Sequence, residues 1–404
     1  MSWRKVRLGD IADFSNGINF GKEAYGKGIK LISVSNFGNR FFPDYDELEE
    51  VREDIVRESD CLQTGDIIFV RSNGNKELVG RCMLVDNPPA KVTFSGFCIR
   101  ARLKNIEVHN PLFWSYHFKN QSFRKAMSGT AIGANIQNLS QGRLSIYEAK
   151  VPDIDTQGRI ADILFKYDEF IENNQKQIKL LEEAAQRLYK EWFVDLRFPN
   201  YEECKIVDGI PEGWTITPIK ELGEIITGKT PLTIRSTYYG GNIPFVKIPD
   251  MHDVVYPLTT EVTLTEEGAN TQKNKFVPKN SIMVSCIATV GLVNISVEKC
   301  QTNQQINSII LKEKRMLYYV YSVIKEIDKL LDGLGSNGAT MTNVNKKKFE
   351  NIELLMPTNE LIYRYNELCE PFFRKIYFIS KGILNAKKAR DMLLPELMGE
   401  SLEV

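Results

Sequence analysis

Residues 156–193 read TQGRIADILFKYDEFIENNQKQIKLLEEAAQRLYKEWF. Apolar side chains recur at Ile160, Leu164, Tyr167, Ile171, Ile178, Leu181, Ala185, Leu188 and Trp192, and Asn174 fills the remaining place in the series. The steps alternate between four and three residues, which is the heptad seam of a coiled coil. A seam asparagine commonly fixes register at some cost in stability. At 1.5 Å per residue such a helix is about 55 Å long. The pattern returns over residues 359–398 as Tyr365, Cys369, Phe372, Ile376, Ile379, Ile383, Ala386, Arg390, Leu393 and Leu397, the first series shifted by 205. Pro371 predicts a kink or interruption in the first turns of this second helix. Each seam needs an apolar partner. The simplest arrangement pairs the two with each other, antiparallel; the alternative buries each on its own globular half.

The stretches between the helices repeat as well. Trp3 and the segment Leu8-Gly9-Asp10-Ile11 resemble Trp214 and Leu222-Gly223-Glu224-Ile225. Residues 29–36, IKLISVSN, match 243–250, IPFVKIPD, and residues 65–71, GDIIFVR, match 280–286, NSIMVSC. Residues 133–139, GANIQNL, match 338–344, GATMTNV, and Val151-Pro152 matches Met356-Pro357. The offset drifts from 214 to 205 while the order holds, as in a duplication of unequal loops. Residues 1–150 and roughly 205–355 are short β-branched and aromatic runs broken by Gly, Asn and Pro, which read as strands and turns with a few helices. The fold class is therefore α+β: two tandem mixed domains separated by two long helices, with an internal pseudo-twofold repeat.

Bulk properties remove several function classes. Of 404 residues, 43% are hydrophobic and 26% charged, an ordinary globular mix. No apolar run reaches membrane-spanning length, and MSWRKVRLGD at the start lacks a signal-peptide core. Seven scattered cysteines, none in a C-x-x-C pair, predict reduced thiols and a cytoplasmic protein. Three histidines far apart, His109, His117 and His252, argue against a metal site or a histidine-based triad. Lys+Arg and Asp+Glu both total 52, but they are segregated. Residues 44–60 hold nine acids and two arginines, whereas residues 71–150 hold twelve Lys/Arg and four Asp/Glu. A solvated surface is the first expectation for such runs.

Two motifs invite catalysis. Residues 223–230, GEIITGKT, fit the phosphate-loop pattern G-x-x-x-x-G-K-[ST]. That motif requires a buried strand before it and a helix after it. Pro231 and the Gly-rich residues that follow are poor helix material, and the first repeat has no Gly-Lys-Thr at this point. Residues 86–90, DNPPA, approach the Asn-Pro-Pro-aromatic motif of adenine methyltransferases, but Ala90 stands where the aromatic would stack on a flipped base. They read as a turn, and no catalytic residues or metal ligands are assigned.

Residues 236–251, STYYGGNIPFVKIPDM, together with 65–80, GDIIFVRSNGNKELVG, 129–140, GTAIGANIQNLS, and 184–193, AAQRLYKEWF, resemble the specificity subunits of type I restriction–modification systems. The likeness covers nearly the whole chain, including the order domain, helix, domain, helix. It implies target recognition domains at 1–152 and 214–357, long helices at 153–196 and 358–404, and a linker at 197–213. It further implies that the chain has no catalysis of its own, that each recognition domain reads half of a split sequence in double-stranded DNA, and that the paired helices set the gap. Two adenine-N6 methyltransferase subunits dock on such a scaffold, and two ATP-dependent restriction subunits can join. No cofactor is expected in this chain; S-adenosylmethionine, ATP and magnesium belong to the partners.

Base reading calls for Arg, Lys, Asn, Gln, Ser or Thr on loops. In the first repeat the candidates are Arg71, Ser72, Asn73, Asn75, Lys76, Ser128, Thr130, Asn135 and Gln137. In the second they are Lys229, Thr230, Arg235, Lys247, Thr289, Asn303, Gln304, Gln305, Ser336 and Asn337. The alternative at this stage is an interaction scaffold of the same build that reads no DNA.

Overall fold

The structure is a computed structural model that describes residues 3–38, 41–73, 78–128, 138–207, 209–326 and 344–399. Asn75, Lys76, Thr130, Asn135, Gln137, Ser336 and Asn337 lie outside the described residues, as does the side chain of Ser128. The chain forms two compact units, Met1–Ile171 with Ala386–Val404, and Glu172–Asn385. Both divisions fall inside a long helix, the first spanning Ile154–Tyr189 and the second Asn359–Leu397.

In the first unit, strands β1 (Arg4–Arg7), β2 (Ala12–Asn16), β3 (Tyr25–Ile32), β4 (Glu49–Val51), β5 (Ile67–Val70), β6 (Cys82–Leu84), β7 (Val92–Phe94), β8 (Cys98–Leu103) and β9 (Glu148–Val151) make three sheets. Their orders are β2-β8-β5-β6, β4-β3-β7 and β1-β9. Strand β5 shows why a short apolar run lies at the centre. Alternate side chains point to opposite faces, so Ile67 and Phe69 enter one core while Ile68 and Val70 enter another. The helix Pro111–Lys119 caps the first of these cores; Asn110 accepts a hydrogen bond from the Phe113 amide at 3.0 Å to start it.

The second unit repeats this plan. A short hairpin, β10 (Ile206–Val207) and β11 (Ile210–Pro211), precedes β12 (Thr215–Pro218), β13 (Gly223–Thr227), β14 (Tyr239–Val246), β15 (Val262–Leu264), β16 (Ile282–Ser285), β17 (Val293–Ile295), β18 (Gln301–Thr302), β19 (Ile306–Leu311) and β20 (Glu353–Met356). The orders are β13-β19-β16-β17, β15-β14-β18 and β12-β20, strand for strand those of the first unit. One sequence pairing slips. The helical turn Leu8–Ile11 corresponds to Ile219–Leu222, and β2 to β13, an offset of 211 (219 − 8) rather than 214. The shared Leu-Gly-acid-Ile string is too short to carry an alignment, and the ladders override it.

Both long helices supply core to each unit. In the first, Ile160, Ala161 and Leu164 share a cluster with Leu397 and Met398. In the second, Ala185, Tyr189, Trp192 and Phe193 share one with Leu361, Ile362, Tyr365, Cys369, Phe373 and Ile376. Polar contacts reinforce this. The Tyr365 hydroxyl donates to the Ala185 carbonyl at 3.0 Å, and Lys325 and Glu182 pair at 2.5 Å. Asp153, after Pro152, caps the first helix by accepting from the Thr156 amide at 2.9 Å. The expected interruption at Pro371 is absent: the second helix runs through it. Pro371 is exposed, so the carbonyl that its missing N–H leaves free can turn to water.

In the first unit, the Asp168 carboxylate of the first helix receives the Arg390 guanidinium of the second and, at 2.6 Å, the Tyr116 hydroxyl. Asp168→Ala leaves Arg390 with Asp391 alone, at 2.8 Å, and the Tyr116 hydroxyl without its acceptor, and is expected to cost about 1–2 kcal/mol. Combined with Arg390→Met it should cost less than the sum of the single changes in urea denaturation. Strict additivity would show that Asp168 and Arg390 are not coupled.

His117 is buried, its Nε2 lying 3.2 Å from the Tyr147 hydroxyl and its Nδ1 without a partner. Burial pushes it down to about 4, so the unfolded chain takes up a proton before the folded one does. Stability should hold above pH 6.5 and fall toward pH 4, by about 2 kcal/mol between pH 7 and pH 5 from this group. Urea midpoints measured for the wild type and His117→Gln at both pH values check this; an equal loss in the variant assigns the slope elsewhere.

Candidate nucleic-acid interface

Three loop segments meet at one edge of the first unit. Leaving β5, the Arg71 and Ser72 amides donate to the Phe97 carbonyl at 2.8 and 3.3 Å, and the Leu139 amide donates to the Arg71 carbonyl at 2.8 Å. Ser72 forms an antiparallel bridge with Asn138. The Arg71 guanidinium reaches the Gly96 carbonyl at 3.2 Å. Residues 95–97 are the turn between β7 and β8, closed by the Cys98 amide on the Ser95 carbonyl at 2.9 Å. Residues 17–19, leaving β2, are tied in by the Ile18 amide to the Phe94 carbonyl at 2.9 Å and the Gly96 amide to the Ile18 carbonyl at 2.7 Å.

The second unit builds the same edge from residues 228–230, 286–290 and 303–305. The Lys229 amide donates to the Thr302 carbonyl at 2.9 Å, the Cys286 amide to the Gln305 carbonyl at 2.8 Å, and the Val344 amide to the Cys286 carbonyl at 2.8 Å. These are the counterparts of the Ile18, Arg71 and Leu139 bonds. Each edge also needs a glycine at one close approach. A Cβ on Gly17 would stand 2.1 Å from the Phe94 carbonyl oxygen, and one on Gly228 would stand 2.1 Å from that of Asn303.

The backbone frame is common, but the side chains differ. The place of Arg71 is taken by Cys286, a buried thiol that burial pushes up to about 11, and therefore neutral. Lys229 and Gln304 are exposed, and the Thr230 hydroxyl donates to Gln304 Oε1 at 2.7 Å. Buried Asn303 donates through Nδ2 to Gln305 Oε1 at 2.8 Å and so orients that amide. Thr289 is exposed, as is Arg235, whose guanidinium lies 6.0 Å from the Tyr238 ring centroid. The Lys247 ammonium pairs with Glu261 at 2.8 Å on the surface. Asn73 is half-buried beside Ser72. The structure thus brings Arg71, Ser72 and Asn73 together, and likewise Lys229, Thr230, Asn303, Gln304 and Gln305.

Much of the positive charge in residues 71–150 serves the fold. Arg102 holds Asp66 through two bonds of 2.7 Å, Arg100 donates to the Ser59 carbonyl at 3.0 Å, and half-buried Lys119 lies 4.6 Å from the Phe41 ring centroid. In the acidic stretch, Glu58 pairs with Lys91 at 2.8 Å and Asp54 with Arg52 at 3.1 Å on the surface. The GEIITGKT segment is edge strand β13 followed by a turn, not a loop opening a helix. Residues 86–90 connect β6 to β7, with Asn87 at a positive φ of 39°. Among the described residues no group of three His, Cys, Asp or Glu side chains is placed to hold a metal, and no helix is long and apolar enough to cross a membrane.

With this geometry in view, the model of the type I restriction modification DNA specificity domain matches residues 1–183 and again 211–363. The chain belongs to the type I restriction–modification DNA specificity family. It carries the specificity domain twice, which fits a target in two parts. It is 29% identical to the HindI specificity subunit of Haemophilus influenzae across 98% of both chains. It is 26% identical to the MjaIX specificity subunit of Methanocaldococcus jannaschii over 72% of this chain and 68% of that one. In fold it resembles the type I restriction–modification S subunit of M. genitalium, with a TM-score of 0.58 over 99% of this chain and 96% of that one at 14% identity.

Two features of this specificity edge escaped the sequence reading. The equivalence of Gly17 and Gly228 was hidden by the slipped pairing, although both follow a strand at the same register. Phe97 carries no signal in the sequence that marks it out. Gly228→Ala should displace the 303–305 turn while leaving the core intact. We expect methylation by the assembled complex to fall at least tenfold with an unchanged circular-dichroism spectrum; wild-type activity would show that the turn has no part in recognition.

Proposed function

We propose that this chain reads a bipartite DNA sequence for a type I restriction–modification complex, with one half-site for each edge. The observation that carries this is the pair of edges: one backbone frame, present twice, bearing different polar side chains. Arginine, lysine, asparagine, glutamine, serine and threonine are the groups that meet base edges and phosphates. Arg71, Ser72 and Asn73 with Asn75, Lys76, Ser128, Thr130, Asn135 and Gln137 are proposed for the first half-site. Lys229, Thr230, Arg235, Thr289, Gln304 and Gln305 with Ser336 and Asn337 are proposed for the second. Buried Asn303, which orients Gln305, and Lys247, paired with Glu261, support them.

In this proposal residues 1–152 and 214–357 are the recognition domains, 197–213 the linker, and the helices at 153–196 and 358–404 pair as an antiparallel coiled coil relating the two halves by a pseudo-twofold axis. The burial of both seams in both units supports the pairing. An internal twofold lets two like partners bind around an asymmetric target, here two adenine-N6 methyltransferase subunits and, in the full complex, two ATP-dependent restriction subunits. Catalysis, S-adenosylmethionine, ATP and magnesium lie with those partners, in the cytoplasm where the DNA is.

Co-expression with the cognate methyltransferase and genome-wide mapping of N6-methyladenine tests both parts. The wild-type chain should yield one split motif. Inserting seven residues into each helix, one heptad apiece, should change the gap while keeping both half-sites. A map without any motif would leave an interaction scaffold, and an unchanged gap would remove the helices as its ruler.

A further inference from the structure

Phe97 stands at the tip of the turn between β7 and β8, and it is 63% exposed. Its backbone is held from two sides: its carbonyl accepts from Arg71 and Ser72, and the preceding Gly96 carbonyl accepts from the Arg71 guanidinium. The backbone that carries this exposed ring is thus held on both sides, and Arg71 is tied to the same turn. No other ring packs on it among the described residues. Isolated exposed apolar residues are common on protein surfaces, but they seldom sit at the centre of a polar loop cluster.

The second unit supplies the comparison. At the same point of the same turn stands Gln305, whose carbonyl accepts from Cys286 as that of Phe97 accepts from Arg71. Its side-chain amide is oriented by Asn303. One tip is aromatic and the other is a hydrogen-bonding amide, on a shared backbone. An amide can pair with a base edge, most simply adenine, whereas a phenyl ring can contact only the apolar parts of DNA: a thymine methyl group or the face of a base.

We propose that Phe97 is a specificity-determining residue that makes an apolar base contact in the half-site read by the first unit, and that Gln305 makes the hydrogen-bonding counterpart in the other. This rests on the DNA-reading function proposed above. The Arg71 guanidinium, bonded to the Gly96 carbonyl, sets a positive charge on the same turn, and positive charge favours DNA as the partner through its phosphates.

The test is methyladenine mapping with the full chain co-expressed with its methyltransferase, comparing the wild type, Phe97→Ala, Phe97→Gln and Gln305→Phe. Pull-down of the methyltransferase by each variant reports assembly. The Phe97 variants should relax or change one position in a single half-site, with methylation of the original site reduced about tenfold, the scale of one mismatched base pair. The other half-site and the gap should stay as they are, and Gln305→Phe should show the mirror pattern. Wild-type motif and rate in Phe97→Ala would overturn the proposal. So would loss of the methyltransferase from the pull-down, which would assign the ring to a protein contact. A wild-type complex that yields no split motif fails differently: it removes DNA reading itself rather than the role of Phe97.

Discussion

Shared burial is the constraint on which this structure depends. Neither unit completes its core from its own sheets. In the second, Tyr365, Cys369 and Ile376 are fully buried against the same cluster that takes Ala185 and Trp192. In the first, Ile160, Leu164 and Leu397 close the cluster that holds Phe69 and Trp114. Each large buried side chain contributes about 1.5–3 kcal/mol, so the helices are parts of the folded units rather than rods attached to them. The contact clusters divide the chain within the helices for this reason, although the primary pattern suggests separate heads and struts.

A core completed in this way frees the loop edges from structural duty. The edge segments are joined mainly by backbone amides and carbonyls, and those bonds are indifferent to side-chain identity. Gly17 and Gly228 mark the points where the frame does depend on residue type, because any Cβ there meets a carbonyl oxygen. Elsewhere Arg71 can be exchanged for Cys286, Ile18 for Lys229 and Phe97 for Gln305 with the strand order intact. That is the property a specificity protein needs. Its target can change through the tips while the scaffold remains one that the same partners recognise.

How far this was legible from the sequence depends on the length of the signal. The helices span ten seam positions each, and the structure places their ends within a few residues of the periodicity. The strands at Ile67 and Ile282 were legible from β-branched runs. Shorter signals failed. A four-residue resemblance misaligned Leu8 with Leu222, and a matching phosphate-loop pattern proved to be an edge strand, because neither string fixes its hydrogen-bond partners. Charge counts say little for a similar reason: Arg100, Arg102 and Lys119 look like surface cations in the sequence but are engaged by the fold. Asn303 and Lys247 resemble their exposed neighbours in type, and only the pairing of Lys247 with Glu261 and the burial of Asn303 separate them.

Arg390 is a charged residue at a seam position where an apolar one is expected. Its partner Asp168 is held by Tyr116 as well, from the helix that caps the first core. Slipping one long helix by a heptad would set Arg390 opposite Ala161 or Gln175 in place of Asp168, and neither offers a carboxylate. Asp391, on the same helix, would stay paired with Arg390, but the slip would give up the contact between the helices and leave Asp168 without its cation, a loss of about 1–3 kcal/mol. The apolar seam alone is compatible with any heptad register, since most of its members are aliphatic or aromatic. The ion pair, with the Tyr365 hydroxyl on the Ala185 carbonyl, favours one. If the helices set the distance between half-sites, then the spacing is held by these polar contacts as well as by the length of the helices, and hydrophobic burial supplies the strength more than the choice.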